Sequence, residues 1–287
     1  MNIRRRLSTA LTALLFLTVA VPVIAHAAVG HSEKRSRYLV GLQLYTVRDD
    51  CAKDFPGVLK AVAKMGFTGV EFAGYYGQSA EQLRKMLDED HLTCYGSHIS
   101  LDSLLGDNFD KTVAFNKILG NKLLVVPSIP DNRRNSRAAL IETAKLFSEL
   151  AKKLEAHGLM LGYHNHMSEF KPVEGELPWD TFFGNSDSRV KIQFDTGNAL
   201  EGGEQAAPFL LKFPKRVVSV HVKDFSATNR QALLGEGDEN WKEVLPILKH
   251  KTATRWFIIE QETYPFPPLV CAEKCLRTFE KMMAETK

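Results

Sequence analysis

Strand-like and helix-like patterns alternate eight times along this chain without a break. Apolar, β-branched runs predict strands at 39–45, 68–72, 92–98, 122–127, 159–165, 189–195, 216–223 and 255–261. Helical patterns fill the gaps. Asp54 caps one that runs to Lys64 and stops at Gly66, and Ser79 opens another to Asp88. Asn108 to Leu119 ends at Gly120; Ser136 to His157 is the longest and ends at Gly158. Shorter helices are expected over 178–184, 204–213 and 239–249, and a last one over 267–285. Strands separated by helices must pair in parallel, because the crossover returns the chain to the same end of the sheet. Eight such units in about 260 residues favour closure into a single (β/α)8 TIM barrel over 39–287. The rival is an open doubly wound sheet. It normally carries a Gly-rich phosphate loop after the first strand, and LQLYTVRDD (42–50) has none.

Residues 1–27 are expected to lie outside this domain. Arg4, Arg5 and Arg6 form a basic start, Leu7 to Ile24 is apolar, and Ala25-His26-Ala27 fits a cleavage site. A membrane anchor is the rival, weakened by Ser8, Thr9, Thr12, Thr18 and Pro22. The segment therefore predicts an export signal, a linker over 28–38, a periplasmic or secreted protein, and no membrane span after cleavage. The whole chain carries 37 basic and 34 acidic side chains; removing three arginines and no acid leaves 34 of each. A neutral mature protein has no basic footprint for nucleic acid. The cysteines are Cys51, Cys94, Cys271 and Cys275; none forms a CxxC pair, so a zinc finger is not expected. Four cysteines in an exported protein allow three disulfide pairings, although Cys94 lies in a strand-like run and suits a buried apolar site.

Four of the later apolar runs end on metal-binding types of side chain: LMLGYHNH (159–166), VKIQFD (190–195), VVSVHVKD (217–224) and WFIIE (256–260). Side chains alternate between the two faces of a strand. Val190, Ile192 and Phe194 oppose Lys191, Gln193 and Asp195; Val218, Val220 and Val222 oppose Ser219, His221 and Lys223. Ile258 shares a face with Glu260; Gly162 shares one with His164 and His166; Gly69 shares one with Glu71, and Gly41 with Gln43. The apolar set must pack beneath helices, so the other set points into the barrel. Glu71, His98, His164, His166, Asp195, His221, Lys223 and Glu260 then converge near one rim, where such barrels keep their sites. Each alone has a plain structural reading: a helix cap for Asp195, a core histidine, a rim ion pair for Lys223 and Asp224. Together they make a cluster of buried charge that calls for a cation.

At these residues the chain resembles the xylose isomerase-like barrels, a group of sugar isomerases and epimerases, inosose dehydratase and endonuclease IV. The resemblance rests on GLQLYTVRDD (41–50), GFTGVEFAG (66–74), YHNHMSEF (163–170), FDTGNAL (194–200), VHVKDF (220–225), LGEGDENW (234–241) and IIEQE (258–262). It implies one divalent metal held by His164, Asp195, His221 and Glu260. Epimerases of the group place a glutamate where His164 stands, and many relatives place a histidine at Asn198. YHNHM is more similar to the strand of inosose dehydratase. Glu169 is the alternative ligand if the strand ends early.

Two carboxylates with imidazoles suit Mn²⁺, Co²⁺ or Zn²⁺ better than Mg²⁺. A sugar carbonyl polarised by such an ion becomes acidic at the neighbouring carbon, where a carboxylate or imidazole removes a proton. Glu260 and His166 are the expected proton-transfer groups and Lys223 the cation facing the enediolate; Glu71, His98 and Glu236 are expected to bind substrate. The expected activity is a metal-dependent isomerase or epimerase acting on an unphosphorylated sugar or keto-sugar. A lyase, dehydratase or hydratase sharing the enediolate is the alternative. A non-catalytic sugar-binding barrel is the reading from another class, and would hold sugar after chelation of the metal. An endonuclease would need more metal ligands and a basic groove. A small carbohydrate is the expected partner, and a homo-oligomer stays open because such barrels often pair.

Overall fold

A computed structural model describes residues 39–286. The leader expected over 1–27 and the linker over 28–38 lie outside the described residues. Eight parallel strands close in sequence order into one barrel: β1 (Leu39–Gln43), β2 (Gly69–Phe72), β3 (Thr93–His98), β4 (Leu123–Val126), β5 (Met160–His164), β6 (Val190–Asp195), β7 (Val217–Val222) and β8 (Trp256–Ile259). The helices are α1 (Arg48–Lys53), α2 (Phe55–Met65), α3 (Ala80–Glu89), α4 (Asn108–Leu119), α5 (Arg137–Glu155), α6 (Pro178–Asn185), α7 (Thr196–Gly202), α8 (Ala206–Lys212), α9 (Trp241–His250) and α10 (Pro268–Glu285).

The helix boundaries follow from local chemistry. The Asp54 side chain accepts from Gly57 N at the start of α2, and Gly66 ends that helix at φ 98°, a conformation that costs glycine little. Ser79 and Gln82 form a reciprocal capping box on α3. Two helices escaped the sequence pattern. The strand-like run 39–45 stops at Gln43, whose side chain accepts from Tyr45 N and folds Leu44–Val47 into a 3-10 turn ahead of α1. The seven residues of α7 begin directly at Asp195 and are too few to show a periodic stripe.

The barrel has two cores. Helices cover the outer faces, so Leu42, Val70, Phe72, Leu161, Ile192, Phe194, Val220 and Ile259 are buried beneath them. Inside, Tyr95, Leu123, Val125, Val218, Trp256 and Ile258 fill the lower half. Tyr95 needs room on both sides: a Cβ on Gly41 would come 2.8 Å from its ring, and one on Gly69 2.7 Å. Val218 departs from strict alternation. The β6–β7 register shifts between Ile192 and Gln193, and this bulge turns Val218 inward while Val217 and Val220 pack outward. A second shift, in β2–β3 between Val70 and Glu71, brings Gly96 over Glu71, where a Cβ would lie 2.5 Å from Oε2. The four cysteines are buried free thiols. Among the described residues no helix is long and apolar enough to cross a membrane.

Candidate active site

Above the apolar plug lies a polar layer centred on Glu71, which is fully buried. Its Oε1 accepts from Gln43 Nε2 at 2.7 Å and faces His221 Nε2 at 2.7 Å and His98 Nε2 at 3.1 Å; its Oε2 accepts from Gln193 Nε2 at 2.6 Å. Burial alone would raise this carboxyl's pKa, but His98 and His221 outweigh it and hold the group well below the usual carboxylate range. Expected to bind substrate, Glu71 instead lies buried in the wall of the site. It has no exposed surface, and both its oxygens are engaged with the side chains that support the site.

One turn higher stand the expected ligands. Asp195 Oδ2, His221 Nδ1 and Glu260 Oε2 lie within 4.8 Å of one another. The His221 nitrogen is 3.1 Å from Glu260 Oε2 and 3.6 Å from Asp195 Oδ2. Asp195 divides its oxygens. Oδ1 caps α7 by accepting from Asn198 N at 2.7 Å, while Oδ2 is buried without an aligned hydrogen-bond donor. Capping and metal binding, rival readings in the sequence, thus belong to different atoms of one carboxylate. The donor set fits a divalent ion on these grounds: a buried oxygen with no aligned hydrogen bond, a facing carboxylate, and an imidazole nitrogen whose ring partner is held by Glu71. A carboxylate behind a ligating histidine fixes its tautomer and raises its basicity. Burial opposes charge on His221, yet Glu260 and Glu71 together raise its pKa well above the usual value. Asp195 is held at about 2, with Lys223 overcoming the cost of burial, and Glu260 is lowered by Lys223 and His221 against the same cost.

A second group, His98, His164 and His221, also has the spacing of a metal cluster. Its centre is filled: Gln193 Oε1 lies 2.7 Å from His98 Nε2 and 3.1 Å from His164 Nδ1. His164 keeps Nε2 directed toward Asp195 Oδ2, at 3.8 Å. Burial, then His221, His98 and His166, lower its pKa well below the usual value, leaving a neutral ring suited to ligation. Glu169 turns the other way. It accepts from Tyr163 Oη at 2.7 Å and from His166 N at 2.8 Å, closing a 3-10 turn outside the barrel mouth, which removes it as the strand-five ligand.

The site opens into a cleft of about 640 Å³ whose lining combines polar residues (His98, His164, His166, Glu260 and Glu262) with apolar ones such as Ile99 and Ile129. His98 and exposed His166 therefore reach the cleft, as does Glu260. Lys223 Nζ lies 3.2 Å from Asp195 Oδ2, 3.3 Å from Glu260 Oε2 and 2.7 Å from Glu262 Oε1. Glu236 does not reach the cleft. Its carboxylate accepts from Leu233 N at 2.9 Å, and the neighbouring Gly235 rests against Thr278 of the outer helix α10, so the turn faces away from the barrel mouth. The loop's inward anchor is Asp224, which accepts from Gly235 N, Glu239 N and Trp241 Nε1.

Several participants had weak signals in the sequence. Gln43 and Gln193 have inward parity but are uncharged, so they did not stand out. Asn165, flanked by two histidines, clasps the backbone of Asp195: Nδ2 donates to Asp195 O at 2.9 Å and Oδ1 accepts from Asp195 N at 2.8 Å. Only the paired strand reveals that role.

A family model described as xylose isomerase-like TIM barrel matches residues 59–281. The chain is 25% identical over 266 residues to inosose dehydratase of Salmonella typhimurium, covering 79% of this chain and 88% of that protein. Among solved structures it superposes on a sugar phosphate isomerase/epimerase from Parabacteroides distasonis with a TM-score of 0.72 at 24% identity, covering 84% of this chain and 93% of that one. A D-tagatose 3-epimerase-like protein gives a TM-score of 0.63 at 19% identity, over 86% and 98% of the two chains. At these identities the structural likeness establishes the fold, and the family match spans most of the sequence: the chain belongs to the xylose isomerase-like TIM barrel family.

Proposed function

We propose that this protein is a divalent-metal-dependent carbohydrate enzyme of the isomerase/epimerase type, which removes a proton from the carbon beside a sugar carbonyl. The observation that carries this reading is the convergence of Asp195 Oδ2, which no hydrogen bond aligns to, with His221 Nδ1 and Glu260 Oε2 beneath a cleft that also presents His166. An ion held by Asp195, His221, Glu260 and His164 supplies Lewis acidity to a carbonyl oxygen, with Mn²⁺, Co²⁺ or Zn²⁺ matching the mixed nitrogen and oxygen donors better than Mg²⁺. Glu260 is the carboxylate that both belongs to the ligand set and lines the cleft, so it takes the proton. Lys223, paired to Asp195 and Glu260 behind the cleft wall, supplies positive charge toward the oxygen on which negative charge develops. His166, on the strand-five side of the mouth, returns a proton to the other face or to the neighbouring carbon. His98 binds a substrate hydroxyl from the cleft wall.

Among the described residues the cleft lining contains no arginine or lysine; its charged members are Asp102, Glu260 and Glu262, and Lys223 lies behind the last two, paired to them. A phosphate monoester would meet carboxylates without a cationic clamp. This supports an unphosphorylated sugar or keto-sugar. Export of the protein by residues 1–27, argued from sequence, belongs to the same proposal.

A second reading, elimination or hydration through the same enediolate, is favoured by His164, which stands where a two-carboxylate epimerase keeps its glutamate, and by the likeness to inosose dehydratase. Proton NMR in D₂O with a panel of keto-sugars separates them: exchange with a retained skeleton is isomerase or epimerase chemistry, loss of water or of an aglycone is lyase chemistry. EDTA should abolish turnover and Mn²⁺ or Co²⁺ restore it. Glu260→Gln should lower kcat/KM by at least about a hundredfold, roughly 2.7 kcal/mol of transition-state stabilisation, with the fold intact. Wild-type rates in that variant, or turnover of phosphosugars alone, would refute the assignment.

A further inference from the structure

Two oxygens in this site serve two cations. Lys223 Nζ lies 3.2 Å from Asp195 Oδ2 and 3.3 Å from Glu260 Oε2. A metal held between Asp195, His221 and Glu260 would draw on the same two carboxylates. Carboxylate oxygens bind such ions at about 2.0–2.2 Å. An ammonium kept on both oxygens would then stand about 5 Å or less from a divalent charge, in a site where water screens little. The two cations cannot hold these atoms together without strong repulsion.

The third partner of Lys223 offers a way out. Glu262 Oε1 is 2.7 Å from Nζ, its side chain is 45% exposed, and it lines the cleft mouth. The lysine backbone is fixed, since Thr196 Oγ1 donates to Lys223 O at 2.6 Å. The stem lies against Gly197, where a Cβ would come 2.9 Å from Lys223 Cγ. Movement is thereby confined to the outer torsions of a flexible four-carbon stem.

We propose that Lys223 is a displaceable internal counter-ion: it competes with the divalent metal for Asp195 Oδ2 and Glu260 Oε2, and withdraws onto Glu262 at the cleft mouth when the metal takes them. This rests on the metal reading of the site. It makes the lysine's presentation to the cleft conditional on metal loading, so that the cation required at a developing oxyanion arrives only in a protein able to generate one.

The test measures Mn²⁺ binding to wild type and Lys223→Met by calorimetry, and maps the acylation rate of Lys223 by mass spectrometry with and without Mn²⁺. Lys223→Met should bind Mn²⁺ about tenfold more tightly or better, and Lys223 of the wild type should acylate several-fold faster once Mn²⁺ is bound. Glu262→Gln should weaken Mn²⁺ binding in the wild type and much less in the Lys223→Met background, the mark of coupled residues. Tighter binding without a change in acylation means simple through-space repulsion and overturns the proposal. So does unchanged or weaker binding by Lys223→Met. The acylation arm reads the wild-type protein, so it stands even if the variant folds poorly. If the wild type binds no Mn²⁺, the metal reading falls as well; if it binds and the lysine is indifferent, only this inference falls.

Discussion

Glu71→Gln probes the support of the whole site. Neither oxygen of Glu71 can become an NH₂ group without facing a donor. One side meets Gln43 Nε2 and His221 Nε2, both at 2.7 Å; the other meets Gln193 Nε2 at 2.6 Å. Hydrogen bonds to a charged group contribute about 1.5–3 kcal/mol each, and a severed buried charge pair costs about 3–5 kcal/mol. Reorientation of the two glutamine amides recovers part of this, so the expected loss is about 3 kcal/mol by urea unfolding at pH 7. The effect should depend on pH with a definite sign. Glu71 is held below its ordinary value of 4.5, so the wild type has this stabilisation above that pH and loses it as pH falls toward the folded-state pKa. The variant has none to lose, and the gap between the two proteins should narrow in acid. His221 also loses the carboxylate behind its ring, which predicts a 10- to 100-fold weaker Mn²⁺ affinity, on the order of 1.4–2.8 kcal/mol. A variant within about 1 kcal/mol of the wild type at pH 7, with unchanged metal affinity, would refute the claim that Glu71 anchors the ligand layer.

Glu239 carries the opposite shift. Burial raises its pKa from 4.5 to about 7, and its Oε2 has no partner, so the native state is disfavoured as pH rises through that window. Glu239→Gln should be more stable than the wild type by up to about 3 kcal/mol at pH 8 and no more stable at pH 4, compared by urea midpoints. Asn165→Ala removes both bonds to the Asp195 backbone; it should cost about 2 kcal/mol and lower Mn²⁺ affinity, with Asn165→Asp recovering only the accepted bond from Asp195 N. Equal Mn²⁺ affinity in the alanine variant would show that Asp195 needs no clasp.

The strands and their inward side chains were legible because alternation is a geometric property of extended chain. Asp195, His221 and Glu260 follow from parity alone, each lying a fixed even step from an inward neighbour. Parity fails where a bulge adds a residue, and nothing in VVSVHV marks the extra step that turns Val218 inward. Depth was also hidden. Glu71 shares the inward face with the ligands, but only its burial among Gln43, His98, Gln193 and His221 shows that it supports them from behind. Glu236 sits in a glycine-flanked turn whose direction depends on Asp224 and on the outer helix, two contacts far from it in sequence or side-chain order. Asn165 needed its partner strand.

The Tyr95 plug has a kinetic corollary. Among the described residues, Tyr95, Trp256 and their neighbours close the lower barrel, and the cleft opens above the polar layer. Traffic through that mouth is last in, first out. An occupant of the cleft seals whatever lies beneath it, so a chelator should strip the ion from the resting protein quickly and from the sugar-saturated protein only as fast as the sugar departs.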